Sequence, residues 1–407
     1  MLILGIGGGY RILIKSILLN KIIVKFMRIL IDARLYGPRG AKGLGRYVQE
    51  LVLGLQKIDQ ENQYIILLTK DNWDEFSASA NFQKVLAPWR WYTLAEQIYL
   101  PSLIKKQQPD LVHFPHFNVP LFYHGRLIIT IHDLLLRTYP SRRASTLGLY
   151  RYWLKNLAYR LVVWSAVRRA QKIIAVSEFT RSEIVKYYPW AASRTEMVYN
   201  GLTKLENLVD SSIDKSVLLR YNITKPFLLY VGNAYPHKNL ENLVLAFKQI
   251  SQEVDYQLVF AGQKDYFSQR LADFTQQQGL TDQQVLFLDY VADADLATLY
   301  QTAALYVFPS LYEGFGLPLL EAMSWGLPVV GSKVPCLEEI GGLAYEKFYP
   351  QSVNDIADKI VALLNNPTRQ SELRELGLER IKKFDWPESI SKHLAIYRHA
   401  AEKNKNK

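Results

Sequence analysis

Cysteine is nearly absent: Cys336 is the only one in 407 residues. No intramolecular disulfide can form, which suits a reducing compartment. Long apolar runs are missing too. Past residue 26, no stretch approaches the roughly eighteen apolar residues that a spanning helix needs. Acidic residues avoid two segments altogether. Residues 1–26 carry Arg11, Lys15, Lys21 and Lys25 and no acid; residues 137–172 carry nine Lys or Arg and six Tyr or Trp, again with no acid. The seven histidines are not spaced as zinc ligands, so no metal site is expected. Internal repeats and low-complexity tracts are also lacking.

What is present is a chain that is 49% hydrophobic and 21% charged, enough to bury about two domains. The net charge of +11 allows nucleic acid, anionic lipid or a phosphorylated small molecule as partner. No nucleic-acid motif accompanies the charge, and no nucleic-acid partner is expected. Residues 1–26 lack a small-residue cleavage site and make a poor signal peptide. They read either as a membrane-surface helix over 11–26 or as an early start codon, with Met27 opening the true first strand. The fragment GIGGG at 5–9 has no βαβ frame and no acidic partner, so it is not a dinucleotide loop.

From Met27 onward, short apolar runs alternate with amphipathic ones, the pattern of parallel sheets flanked by helices in an α/β protein. The first set of strands is expected at 28–32, 64–69, 110–113, 127–131 and 172–176. A second set follows at 227–231, 256–261, 285–288, 305–308 and 328–331. The polar stretch 202–226 interrupts the alternation and reads as a linker. The domains are therefore expected at 27–205 and 206–385, after an extension at 1–26. Residues 386–407 form a last helix, long enough to cross back onto the first domain.

In such sheets ligands bind beyond the carboxyl ends of the strands. The strand at 305–308 runs into PSLYEGFG and then a helix from about Leu317. Its glycines let the backbone approach a ligand. The amides of Phe315, Gly316 and Leu317, at a helix N-terminus, suit a phosphate. Glu313 and Glu321 would flank that guest, where carboxylates accept hydrogen bonds from sugar hydroxyls. Glu321 interrupts an apolar helix, so it is either a solvated surface residue or a carboxylate awaiting a partner. Glu313 by itself is equally explicable as a solvated turn residue. Asp293-Ala294-Asp295 mimics a metal-binding D-x-D but leads into a helix, and Asp293 is better read as its N-cap.

E-G-F-G-L-P-x-x-E-A-M at 313–323, with glutamates eight positions apart, resembles the signature of the family 4 retaining glycosyltransferases. The resemblance spans nearly all of 27–400. It includes IDARLYGPRGAKGLGRYVQEL at 31–51, TIHDLLLRTYP at 130–140, AVSEFTRSEI at 175–184, VYNG at 198–201, LLYVGNAYPHKNLENLVLAF at 228–247 and VADADLATLY at 291–300. It implies the GT-B fold, two Rossmann-like doubly wound domains facing a central cleft. It also implies transfer of a sugar from a nucleotide-sugar donor without a metal cofactor.

By the same resemblance, Lys238 neutralises the leaving diphosphate, which in a dry cleft needs positive charge. Glu321 takes the ribose, and Glu313 takes the transferred sugar. His132 lies against that sugar, and the glycine loop at Gly43 and Gly45, opening a helix over 46–55, lies over the diphosphate. Many family members carry an arginine where this chain has Gly232-Asn233-Ala234, so Asn233 stands at a phosphate position and Arg46 is a candidate substitute. His113 and His116 line the same strand edge with weaker warrant. Asp133 is either an acceptor-side group or a helix cap. The opening and the YPHKN variant look most like bacterial mannosyltransferases of surface-polysaccharide assembly. GDP-mannose is then the first expected donor and a UDP-sugar the second, with a glycan or lipid-linked saccharide as acceptor.

Residues 137–172, with Leu147, Tyr150, Leu154, Leu157, Leu161 and Ser165 along one helical face, suit an anionic membrane surface or simply a solvated basic face. The aromatics of 88–101 are placed to line an acceptor site. The expected location is cytoplasmic, peripheral to the membrane. A sugar-nucleotide epimerase or phosphorylase on the same fold, and a non-catalytic nucleotide-sugar-binding protein, remain as alternatives.

Overall fold

The computed structural model describes residues 26–402 except 142, 144–147, 204–213 and 215. The readings of residues 1–25, of Leu147 and of residues 204–213 and 215 in the 202–226 linker therefore lie outside the described residues. Two all-parallel sheets dominate. The first has strands β1 (Arg28–Asp32), β2 (Gln63–Leu68), β3 (Phe82–Leu86), β4 (Leu111–Phe114), β5 (Leu127–Ile131), β6 (Lys172–Ala175) and β7 (Thr195–Met197). Their order is β3-β2-β1-β4-β5-β6-β7. The second has β8 (Phe227–Val231), β9 (Gln257–Ala261), β10 (Val285–Leu288), β11 (Leu305–Phe308), β12 (Val329–Ser332) and β13 (Glu346–Phe348), in the order β10-β9-β8-β11-β12-β13.

Central strands such as LIITI and LYVF are buried throughout, because a parallel sheet covered by helices on both faces needs continuous apolar runs. Three strands escaped the sequence pattern: β3 (FQKVL), β7 (TEM) and β13 (EKF). All three are edge strands, where one flank is unpaired and charged residues are tolerated. Strand order reverses between β1 and β4 and again between β8 and β11, and each reversal leaves a crevice at the carboxyl ends.

One apolar core fills the second sheet, and two cores cover opposite faces of the first. Helix α1 (Pro38–Ile58) and the last helix, α2 (Trp386–Glu402), pack together on one face of the first sheet. Ile390, Leu394 and Tyr397 of α2 join that core. His393 Nε2 accepts from Tyr47 Oη at 2.8 Å, and Tyr397 Oη meets His113 Nδ1 at 2.6 Å. The chain re-enters the first domain at Trp386, whose ring would stand 2.4 Å from a Cβ added at Gly201. No helix among the described residues is long and apolar enough to cross a membrane.

Candidate functional site

The carboxyl ends of the two sheets meet at Gly314. A Cβ there would lie 1.9 Å from the His132 carbonyl oxygen, so only glycine permits this approach. The Gly314 carbonyl accepts from Ser177 Oγ at 2.7 Å and from Thr180 Oγ1 at 3.0 Å. Tyr312 Oη accepts from the Leu134 amide at 3.1 Å. Glu339 accepts from the amides of Glu178 and Phe179, both at 2.7 Å. Ser177, Thr180, Tyr312 and Glu339 therefore clamp the E-G-F-G loop onto the first domain. Ser177, Thr180 and Tyr312 lay inside the quoted motifs AVSEFT and PSLYEGFG, Glu339 in none, and nothing local assigned them a task.

Beside Gly314, Glu313 Oε1 sits 2.6 Å from Lys238 Nζ, with both side chains mostly buried. Lys238 ends a single turn, Pro236–Lys238, after β8, and Asn239 behind it has φ of 59°. The turn is fastened to the Glu313 loop, since the Leu311 amide donates to the His237 carbonyl. Two residues separated by 75 positions are thus held at the β8/β11 crevice. Asp133 lies close enough to feel both charges; burial raises its pKa first, Glu313 adds to that, and Lys238 opposes it. Its carboxylate also accepts from the Leu135 amide at 3.0 Å, although Leu134, not Asp133, is the N-cap of the short helix Leu135–Thr138.

His132 donates from Nε2 to the Pro115 carbonyl at 3.0 Å, which leaves Nδ1 as an acceptor when the ring is neutral. Burial pushes its pKa down to about 4. Gly316, at φ 94°, forms the N-cap of the helix Leu317–Ser324, and a Cβ on it would meet Leu337. The Phe315 ring is buried against Tyr199 and Phe384, so only its backbone is available to a ligand.

Glu321 is part-buried, and burial raises its pKa against the pull of Arg46 and Tyr300. Tyr300 Oη donates to it at 3.3 Å, and Arg46 approaches at 4.0 Å. Arg46 also pairs with Asp293 at 3.2 Å.

Arg46 pairs with Asp293 and approaches Glu321. Several expectations need correction. Gly43 and Gly45 lie inside α1 rather than in a loop preceding it. At Gly45 a Cβ would stand 2.1 Å from the Gly37 carbonyl oxygen, so this glycine is required by the chain's own turn. Asp293 is the first residue of its helix and Ala292 is the N-cap. The D-x-D carboxylates diverge, Asp295 pairing with Arg220 at 2.8 Å and accepting from Tyr221 at 2.9 Å. His113 is fully buried beneath the last helix, not on the cleft edge. Asn233 does stand at the crevice, and its Oδ1 is buried without a partner among the described residues.

Two further features were not foreseen. A cavity of about 450 Å³ opens at the carboxyl ends of β8, β9 and β10, beside Gly232, Gly262, Lys264 and Leu288. Gly262 packs so closely that a Cβ would stand 1.9 Å from the Gly232 carbonyl oxygen. In the first domain, Arg34 is buried between Asp32 at 2.6 Å and Glu96 at 2.7 Å. It also donates to the Trp89 carbonyl at 3.1 Å. This network holds the aromatic segment 88–101 at the end of β1, where Glu96 also accepts from the Tyr92 amide at 2.7 Å and from Asn118 at 2.9 Å.

Two facing parallel sheets, with a cation–carboxylate pair and a helix N-terminus at one crevice, define a two-domain α/β protein with its candidate site between the sheets. Comparison with known proteins makes this specific. The model described as "Glycosyltransferase Family 4" matches residues 41–203, and that described as "Glycosyl transferases group 1" matches 218–380. The chain belongs to glycosyltransferase family 4. O-antigen chain mannosyltransferase B of Escherichia coli is 29% identical over 376 residues, covering 88% of this chain and 96% of that protein. Serotype-specific mannosyltransferase WbdA of Escherichia coli is 27% identical over 91% of this chain, which spans only 47% of WbdA. Sucrose-phosphate synthase of Thermosynechococcus elongatus shares the fold, with a TM-score of 0.71 at 22% identity over 92% of this chain and 98% of that one. The protein is a glycosyltransferase of the GT-B fold.

Proposed function

We propose that this enzyme transfers mannose, with retention of anomeric configuration, from GDP-mannose to a glycan or lipid-linked saccharide on the cytoplasmic side of a membrane. The names of the two Escherichia coli relatives support mannose; a UDP-sugar is the alternative donor. The observation that carries the chemistry is the 2.6 Å pair of Lys238 and Glu313 at the β8/β11 crevice.

In this reading the base enters the cavity beside Gly262, and the ribose hydroxyls donate to Glu321. Lys238 exchanges Glu313 for the diphosphate, joined by the amides of residues 315–317 and by the amide group of Asn233. Charge compensation comes from these groups, with no metal in the scheme. Glu313, released from its ion pair, accepts from the hydroxyls of the transferred sugar. His132 and its carbonyl border that sugar from the other domain. The departing diphosphate takes the acceptor proton on the same face from which the sugar leaves, while the protein contributes positioning and charge.

A thermal-shift screen over sugar nucleotides identifies the donor, since a ligand at about a hundred times its Kd adds about 2.7 kcal/mol. Transfer to a lipid-linked acceptor is then measured for wild type, Lys238→Ala and Glu313→Ala. Both variants should lose about 100-fold or more in kcat. Equal turnover in all three would overturn the assignment. A new sugar nucleotide formed without acceptor would instead mark an epimerase, and a thermal shift without transfer or donor hydrolysis a binding protein.

A further inference from the structure

The helix Leu149–Arg169 carries two apolar faces. Tyr152, Tyr159, Val163, Ala166 and Val167 are buried against the first sheet. On the opposite side, Trp153, Leu154, Leu157, Leu161 and Trp164 stand in solvent, Leu157 66% and Trp153 57% exposed. At 3.6 residues per turn these five fall within an arc of about 100°. Arg151, Lys155, Arg160 and Arg168 are exposed around that arc, and none forms an ion pair among the described residues. A single exposed leucine means little; a continuous two-tryptophan, three-leucine stripe does not arise on a solvated helix.

The stripe has neighbours. The helix Leu94–Lys106 packs in the same core layer through Leu100 and Ile104. It exposes Leu94, at 81%, and Ile98. A loop carrying exposed Phe122 ties the two helices together. The Leu121 amide donates to Gln97 Oε1 at 2.7 Å, and Arg169 donates to the Pro120 carbonyl at 3.1 Å. From Gln97 to Gln171 the chain has eleven Lys or Arg and two acids, Asp110 and Asp133. Asp110 is engaged with the Arg28 amide and Asp133 with that of Leu135. Glu96 is buried on Arg34. An apolar face framed only by cations matches one occupant, the surface of an anionic bilayer: side chains enter the acyl boundary while Arg and Lys meet phosphate headgroups.

We infer that this outer face of the first domain, the helices Leu149–Arg169 and Leu94–Lys106 with Phe122 between them, lies on an anionic membrane. The second helix begins beside the Arg34 network, in which Glu96 also accepts from Asn118, just past β4 at the first-domain crevice. A docked enzyme would therefore present that crevice to the membrane plane, from which a lipid-linked acceptor enters. The inference deepens the acceptor reading above, but vesicle binding is measured without donor or transfer, so either can fail alone.

The test is flotation with vesicles of phosphatidylcholine, pure or with about one third phosphatidylglycerol. Wild type should float with the anionic vesicles only, and salt should release it. The combined variant Trp153→Ser, Leu157→Ser, Leu161→Ser should lose about 100-fold in vesicle affinity. The variant Arg151→Gln, Lys155→Gln, Arg160→Gln, which leaves the apolar stripe intact, should lose a similar factor. Both should keep the wild-type unfolding midpoint and nucleotide thermal shift. Wild type that fails to float, or variants that float as wild type does, would overturn the inference. So would a wild-type dimer, indifferent to vesicles, that the serine variant turns into a monomer; the face would then join two copies of the chain.

Discussion

Lys238 and Glu313 neutralise one another across 2.6 Å, and in the proposed mechanism each has a second use for its charge. An ion pair poised to exchange partners costs little to open when a diphosphate replaces the carboxylate. Glu321 is differently placed, held by Tyr300 and approached by Arg46 on the far side of the same helix start. The two carboxylates should therefore fail differently. Glu321→Gln should weaken donor binding about 10–100-fold, the worth of a hydrogen bond to a charged group, with kcat little changed. Glu313→Gln should lower kcat about 100-fold or more with donor affinity nearly intact. Calorimetry with the nucleotide and initial rates of transfer separate the two; a Glu321→Gln enzyme that binds donor as tightly as wild type would return Glu321 to the surface residues.

At the scale of elements, the E-G-F-G loop is a joint between two sheets. Its shape is set by Gly314, whose missing Cβ lets the loop touch the His132 carbonyl. Gly314→Ala should leave each sheet's core untouched and hold the loop back by about an ångström, a displacement that costs on the order of 100-fold in rate. The expected result is a kcat lowered by that factor with an unfolding midpoint close to wild type; unchanged kcat would mean the loop adapts elsewhere. Much of this element was readable in advance, because glycines, Pro318 and a following apolar run are local signals. Its clamps were not. Ser177 caps a helix, accepting from the Thr180 amide at 3.0 Å. Only the folded chain adds Gly314, 137 residues away, to the same hydroxyl.

The whole molecule is closed by its last helix, which brings His393 beside His113 and within the field of His132. Burial pushes His132, His237 and His393 down to about 4 and His116 to about 3, and it lowers His113 well below the ordinary value. Unfolded histidines take their protons near pH 6.5. Below that value, and down to the folded values near 4, the unfolded chain binds more protons than the native one. Stability is thus complete above about pH 6.5 and lost as pH falls. The urea midpoint should drop between pH 7 and pH 5 and stay level between pH 7 and pH 8; equal midpoints at 7 and 5 would contradict the buried, neutral assignment.

The amino-acid order alone determined the parallel α/β architecture, the central strands and the succession of family motifs. Each of these is written in neighbouring residues: a doubly covered strand is a run of Ile, Leu and Val wherever it sits. The edge strands TEM and EKF escaped because an edge imposes no such pattern. Only the tertiary structure decided which charges meet. It set Lys238 on Glu313, moved Arg46 to Glu321, and took His113 from the cleft into the core. It also decided which side of the helix Leu149–Arg169 is outside. Two apolar faces stand back to back on that helix, and periodicity cannot say which one the sheet will cover. The stripe from Tyr150 to Leu161 is the one the fold leaves in solvent, because burial is a property of what lies opposite, and the sheet lies opposite the other side.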